Sequence, residues 1–447
     1  MPKVIPLGLL VFILVFSCLA HGTVTLLPLV IIESSVGLVV LFWFGDMAYK
    51  RRLSLVKTGL LLPFSLFLGL IFLQLVPLPF NLMRVISFNT VGLYDNYLPQ
   101  GAVRVSFPLS IYPYATIAEL LKIVTYIGIF FFLINQIQTK RQFDLILNTI
   151  IILGTLISIF AILERYNSLA RTAGIGVADF GIPTYGPFMN RNNFAGYINM
   201  VIPLALGYFL TEKSLNKKVG YIFCVAMMSL ALFLSLSRAG ILVYILTLLF
   251  ILLFSRFKDS LRDKTKILYV WIAVIICAFV FFTDTQIVWE RLTSLFKKET
   301  LVVLGHGYSW KDILRIGRDF PLFGTGLGTF GSISSMYKTT PQQSVFTYAH
   351  NDYLQLLSET GILGFLFLSL FFIFYFRSVL KIWLTRHDTY VVCLVFGGLA
   401  SLFGMLVYSF LDFNLHIPAN ALLFFVILGL VYRLAFSRFN PNDDVSG

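Results

Sequence analysis

Charge is scarce in this chain: Asp, Glu, Lys and Arg make up 12% of its 447 residues, while 58% are hydrophobic. A soluble globular domain carries roughly 25% charged residues, so these side chains cannot cover a water-facing surface. Cysteine is scarce too. Cys18, Cys224, Cys277 and Cys393 each fall inside an apolar run with no Cys-x-x-Cys spacing. That pattern argues for small packing residues and against a disulfide framework or a metal site. Acidic residues number 21 against 34 basic ones, for a net charge of +13. In a soluble protein this excess would suggest nucleic acid. In so apolar a chain it reads as the Lys and Arg of cytoplasmic loops, and no nucleic-acid partner is expected. The loops also lack an Asp-x-Asp or Glu/His cluster at metal spacing. Asp352 and Glu359, seven apart on one probable helix, come nearest to a metal pair. The expectation is chemistry without a metal or other cofactor.

The chain does have apolar blocks of about 17–22 residues, long enough to cross roughly 30 Å of hydrocarbon as helices. Barrel strands would alternate over about 10 residues, and these blocks do not alternate. Only helices and closed barrels satisfy their backbone in lipid. The fold class is therefore an all-α integral membrane protein. About twelve spans are expected, near 4–20, 25–46, 58–78, 114–136, 143–163, 193–211, 218–237, 239–255, 267–284, 361–377, 390–411 and 418–436. Lys3 before an apolar run ending Ser17-Cys18-Leu19-Ala20 also fits a signal peptide. An uncleaved helix is the reading, because Phe16 suits a lipoprotein-type cleavage site poorly and the even count puts both termini on one side.

Alternate loops are short and basic. They hold Lys50, Arg51, Arg52 and Lys57; Lys140 and Arg141; Lys213, Lys217 and Lys218; Arg256, Lys258, Arg262, Lys264 and Lys266; Arg377, Lys381 and Arg386; Arg433 and Arg438. Such loops face the cytoplasm. The intervening ones, notably 79–113, 164–192 and 285–360, are longer, rich in Gly, Pro, Asn and aromatics, and face outward. Three regions follow: N-terminal spans over 1–185, a second block over 186–436 that includes the outer loop 285–360, and a cytoplasmic tail over 437–447. Within the long loop, Trp310, Ile313, Leu314 and Ile316 recur at helical spacing beside Lys311, Arg315 and Arg318, which predicts an amphipathic helix lying on the membrane face. Pro321 ends it. The following Gly324-x-Gly326-x-Gly328 lacks the strand–turn–helix setting of a nucleotide loop and reads as a tight backbone turn.

Ionisable groups at membrane depth are costly and usually functional. Arg191 stands in Asn190-Arg191-Asn192-Asn193 just before a span. Arg238 stands in Ser235-Leu236-Ser237-Arg238-Ala239-Gly240 between two spans, with nothing acidic nearby in sequence. His350 opens His350-Asn351-Asp352-Tyr353-Leu354-Gln355. Asp412, Asn414 and His416 occupy a short outer turn before Pro418. Arginine forks bind phosphate bidentately and stay charged, so Arg191, Arg238 and Arg315, with Arg318 as the alternative in the loop, suit a pyrophosphate at headgroup level. A histidine is the natural proton carrier near neutral pH, which makes His350 the catalytic candidate. Each has a plainer reading. Arg238 can anchor a helical hairpin, Arg315 can contact headgroups, His350 can start a helix, and Asp412 with His416 can form a structural turn or a secondary site. Glu33, inside the second span, is left without a role.

In this order and on this topology, four segments resemble the O-antigen ligase family, bacterial membrane glycosyltransferases that share a ligase/polymerase domain. They are Gly186 to Ala195; Ser235 to Gly240; Trp310 to Phe330 with Pro321-Leu322-Phe323-Gly324-Thr325-Gly326-Leu327-Gly328; and Ala349 to Gln355 followed by Glu359-Thr360-Gly361-Ile362-Leu363-Gly364. The resemblance runs from about Gly186 to the last span. It implies a lipid-linked glycosyltransferase architecture (GT-C-like) in the bacterial inner membrane. It implies a donor glycan on undecaprenyl pyrophosphate, transferred at the periplasmic face to a hydroxyl of lipid A core, another glycan or a protein, with no nucleotide sugar. By motif, Arg238 and Arg315 would hold the pyrophosphate and His350 would activate the acceptor. A repeat-unit polymerase and a protein O-oligosaccharyltransferase share the pattern. A lipid-linked glycan transporter or a structural subunit are the readings of another class. A transporter usually shows internal repeats and midplane polar residues, and here the polar residues gather at span ends.

Overall fold

The computed structural model describes residues 4–51, 55–97, 105–166, 185–259, 261–262, 310–339 and 347–439. The chain is all-α. Helices run α1 (Val4–Leu19), α2 (Leu26–Tyr49), α3 (Leu61–Leu75), α4 (Phe80–Ile86), α5 (Phe88–Tyr97), α6 (Pro113–Gln136), α7 (Lys140–Tyr166), α8 (Arg191–Thr211), α9 (Leu215–Leu234), α10 (Arg238–Phe254), α11 (Trp310–Asp319), α12 (Phe330–Tyr337), α13 (Asp352–Thr385), α14 (Thr389–Tyr408) and α15 (Pro418–Phe436). Among the described residues nine helices are long and apolar enough to cross a membrane, and α1 and α3 are shorter apolar helices. The expected ninth span, 267–284, and Cys277 lie outside the described residues. Cys18 and Cys393 are buried and Cys224 is half-buried, and none of the three forms a disulfide among the described residues.

These helices are apolar on every side, so their outward faces carry bare side chains such as Leu26, Leu41, Phe72 and Leu156, as a lipid-facing surface requires. At the centre α8 is buried almost throughout and packs on α14. Small residues permit the close crossing: a Cβ on Gly397 would stand 2.5 Å from the Pro203 carbonyl oxygen.

The loops sort to two ends. At one, Arg433 Nε donates to the Ile137 carbonyl at 2.7 Å, Arg386 donates to those of Ala435 and Ser437, and the Val56 amide reaches Asn135 Oδ1. These are the basic loops. At the other end a two-stranded hairpin (β1, Leu78–Pro79, with β2, Ser106–Phe107), α4, α5, α11 and α12 form a cap over the bundle. The segment 79–113 is thus more structured than a loop.

One expectation needs correction here. Helix α11 forms as predicted, but its buried face does not lie on the membrane. Ile313 and Ile316 are buried against Phe330, Ile333 and Ala349, while Trp310 and Leu314 remain exposed. An amphipathic pattern does not say whether lipid or protein meets the apolar stripe, and here α12 supplies protein. The span expected from 361 does begin there: the helical stretch Asp352–Thr385 breaks at Gly361 (φ 63°, ψ −170°), and residues 352–360 form a separate helical segment before it. A Cβ at Gly361 would fall 2.3 Å from the Leu322 oxygen, so only glycine lets the Pro321–Phe323 turn close against the helix.

Candidate active site

His350 is placed by a strained corner. Its own φ is +50°, a left-handed conformation uncommon outside glycine that persists where the surroundings over-determine it. The next residue, Asn351, caps α13 by accepting from the Leu354 amide at 3.0 Å. The corner turns the imidazole toward the 409–416 turn, where Nδ1 lies 2.8 Å from Asp412 Oδ1. Asp412 is buried, and its carboxylate also accepts from the Phe413 amide at 2.9 Å and from Asn192 Nδ2 at 2.8 Å. With a carboxylate as acceptor, Nδ1 is the ring nitrogen that donates in this pair.

The network continues toward the arginines. Asn192 Oδ1 accepts from Ser237 Oγ at 2.8 Å, and Tyr408 Oη lies 3.1 Å from the same Oγ and 3.2 Å from the Asn192 carbonyl. Ser237 also caps α10, its Oγ accepting from the Gly240 amide. Asn190 likewise caps α8. Arg191 and Arg238 are therefore the first residues of two helices whose N-termini are tied together. A helix N-terminus carries partial positive charge, and an arginine there adds to it rather than offsetting it. Two such ends side by side concentrate the field an anion seeks. Leu236, in the turn before Arg238, is itself at φ +53°. Arg238 is half-buried and makes no hydrogen bond or ion pair among the described residues.

A second pair crosses the first. Asp352 opens α13, and its Oδ1 lies 2.7 Å from His416 Nδ1 while its amide donates to the Ser409 carbonyl. His350 and Asp352 thus grip Asp412 and His416 reciprocally. Aromatic rings fill the clasp: Phe413 stacks on Tyr348 at 4.7 Å and meets the edge of His350 at 4.6 Å. His416 also borders a largely apolar cavity of about 160 Å³ between α3, α6, α13 and α15, lined among others by Glu119, Lys122, Tyr126 and Glu359. Burial opposes the charged form of His416. The hydrogen bond and charge of Asp352, with Glu359 and Glu119 behind it, outweigh burial and raise its pKa above the ordinary histidine value.

Asp352 and Glu359 do not form the pair that their spacing allows. Glu359 accepts at Oε2 from the Gly328 amide (2.8 Å) and at Oε1 from Phe330 and Gln355 (3.1 Å each), fastening the glycine turn. Gln74 holds the same turn through the Phe323 and Glu359 carbonyls and the Leu327 amide. Gly324, Gly326 and Gly328 all have positive φ, so the motif is the backbone turn its sequence indicates. Among the described residues no three His, Cys, Asp or Glu side chains come together as metal ligands.

Of the loop arginines, Arg315 is exposed and pairs at 3.6 Å with Asp312 on its own helix, and Asp312 also takes the Thr339 hydroxyl. Arg318 is exposed and has no partner among the described residues. The buried face of α11 packs beside Ala349, which sets this helix next to the His350 corner. Sequence reasoning missed Asn192, Ser237 and Tyr408, the groups that join these residues.

Residues 223–369 match the family model Wzy_C, described as O-antigen ligase. No curated protein matches the chain. The matched stretch starts within α9 and stops within α13. It takes in Arg238, Arg315, Arg318 and His350, and leaves out Arg191, Asn192, Asp412 and His416.

Proposed function

Starting from the match of residues 223–369 to the O-antigen ligase family model, we propose that this protein transfers a glycan from an undecaprenyl-pyrophosphate carrier to an acceptor hydroxyl at the periplasmic face of the bacterial inner membrane. The observation that carries the reading is the unbroken path His350–Asp412–Asn192–Ser237, which joins a histidine to the helix starts bearing Arg191 and Arg238. In this reading the basic loops and both termini are cytoplasmic, and the clasp end of the bundle is periplasmic.

In the reaction, Nε2 of His350 takes the proton of the acceptor hydroxyl as its oxygen bonds to the anomeric carbon. The bond from that carbon to the pyrophosphate breaks, and the electron pair leaves with the lipid pyrophosphate. Negative charge grows on the leaving group in the transition state. Arg238 and Arg191, with Arg315 or Arg318 from α11, stabilise that charge in a site of low dielectric. Asp412 holds the imidazole tautomer and stabilises the imidazolium that forms. Attack opposite the leaving group inverts the anomeric centre, which NMR of the product reads directly. Retention would overturn this single-displacement route.

The test uses protein in nanodiscs with undecaprenyl-pyrophosphate-linked glycan, with and without lipid A core, in the presence of a chelator. Released undecaprenyl pyrophosphate is measured for wild type and His350→Ala. Release that requires the acceptor, survives chelator and fails in the variant supports a ligase. Release without acceptor, with lengthening glycans, identifies a polymerase of the same superfamily. No release from folded wild-type protein under any condition overturns the enzyme reading in favour of transport.

A further inference from the structure

At the basic end of the bundle, α7, α8, α9 and α14 leave an open cavity of about 1010 Å³. Its walls include Lys140, Asp144, Tyr208, Lys213, Lys218 and Tyr390. The wall is rigid. Tyr208 and Tyr390 both donate to Asp144 Oδ1 at 2.6 Å, Tyr221 donates to Asn148 Oδ1 at 2.8 Å, and Tyr208 and Tyr221 stack at 5.3 Å. The Lys140 ammonium lies 5.2 Å from the centre of the Tyr390 ring.

Several basic residues elsewhere at this end are committed to the fold. Arg433 donates to the Ile137 carbonyl, Arg386 to the Ala435 and Ser437 carbonyls, and Lys258 to the Arg386 carbonyl. At the cavity rim Lys217 pairs with Glu212 at 3.6 Å. By contrast Lys213 and Lys218 make no hydrogen bond or ion pair among the described residues. Two cations thus stand uncommitted over a preformed pocket at the ends of spanning helices, the depth of phospholipid headgroups. Basic pockets between helices at this level suit anionic lipid heads. The remaining lining narrows the class. Asp388, which uses Oδ1 to cap α14, and Glu212 offer acceptors, so the pocket fits a phosphate that also carries hydroxyl groups.

We propose that this cavity binds the headgroup of a glycerol-bearing anionic phospholipid, of the phosphatidylglycerol class. Lys213 and Lys218 take the phosphate, and Glu212 and Asp388 accept from the glycerol hydroxyls. The site lies at the opposite end of the bundle from the His350 clasp and does not depend on the function proposed for it.

The experiment is native mass spectrometry of the full chain titrated with phosphatidylglycerol or phosphatidylcholine. Wild type is compared with Lys213→Ala/Lys218→Ala and with a control, Lys50→Ala/Lys381→Ala, which removes equal charge from the same end but away from the cavity. Lys213 and Lys218 make no bond among the described residues, so the variant should keep the wild-type melting temperature in detergent. Phosphatidylglycerol should bind wild type and control equally, and the rim variant about tenfold more weakly. Equal loss in the control would reduce the effect to bulk charge, and equal binding of phosphatidylcholine would remove the anion requirement. Either result overturns the proposal. Free glycerol 3-phosphate and inorganic phosphate form the last arm: protection against thermal unfolding as strong as the lipid's would identify a soluble phosphate site and overturn the lipid assignment.

Discussion

The two histidine–aspartate pairs at the clasp are alike in chemistry and opposite in surroundings. In each, Nδ1 meets a carboxylate oxygen within 2.8 Å, and the two are braided through one turn. The His350 pair continues through Asn192 and Ser237 to helix starts bearing Arg191 and Arg238, a positively charged neighbourhood. The His416 pair borders an apolar cavity where Glu359 and Glu119 add negative charge to that of Asp352. In the proposed reaction the first environment would hold an anionic leaving group. The other favours a protonated imidazole that ties α13 to α15. Identical dyads are thus given different work by the charges around them.

The largest effect that tests this contrast is at His350. His350→Ala should lower transfer by about 10³-fold, within the usual range for a general base, with the melting temperature little changed. His416→Gln at the same pH should stay within about threefold of wild type. Similar losses at both sites would erase the distinction. Asp412→Asn comes next. An amide can donate to Nδ1, so it allows the tautomer that places the proton on Nε2, and kcat should fall by about 10²-fold. Single-turnover rates with saturating donor measure this directly, and an unchanged rate would leave Asp412 a purely structural role.

Asn192→Ala should be milder. Asn192 touches neither the acceptor nor the leaving group in the proposed reaction; it positions Ser237, and through Ser237 the start of α10 that carries Arg238. The expected result is a donor KM raised about tenfold with a smaller change in kcat. A loss confined to kcat would place Asn192 on the proton path through Asp412 instead.

Much of this molecule is readable in its sequence, because its spans are apolar runs of membrane length and its polar residues at span ends are few. Arg238, His350 and Asp412 stand out for that reason. Their connection does not. His350 and Asp412 are 62 residues apart and Asn192 and Ser237 are 45 apart, and nothing in a local pattern specifies such partners. In Asn190-Arg191-Asn192-Asn193 the same residue type serves once as a helix cap, at Asn190, and once as a bridge, at Asn192. The helical period at 310–319 was legible, but not that α12 would cover its apolar side. The basic loops read only as an orientation signal and a contact for lipid headgroups, while Arg386, Arg433 and Lys258 in fact donate to backbone carbonyls of neighbouring segments. Periodicity reports which face is apolar. Which partner meets that face is a property of the assembled bundle.

The smallest effect sharpens the comparison from the other side. The folded state raises the pKa of His416, despite burial, because Asp352 bonds to the ring and Glu359 and Glu119 add to the field. The unfolded value is about 6.5. Stabilisation by the protonated ring is therefore complete below that value and is lost as pH rises through the higher folded pKa. His416→Gln keeps a hydrogen bond to Asp352 but cannot take up the proton. The melting temperature of wild type should exceed that of the variant by a few degrees at about pH 6, and the gap should close as pH rises above the ordinary histidine range. Scanning fluorimetry of both proteins in one detergent across that range measures it. A gap that is constant with pH would mean that His416 acts by shape alone; a gap that widens would mean that the ring is held neutral, and the contrast between the two pairs would fail.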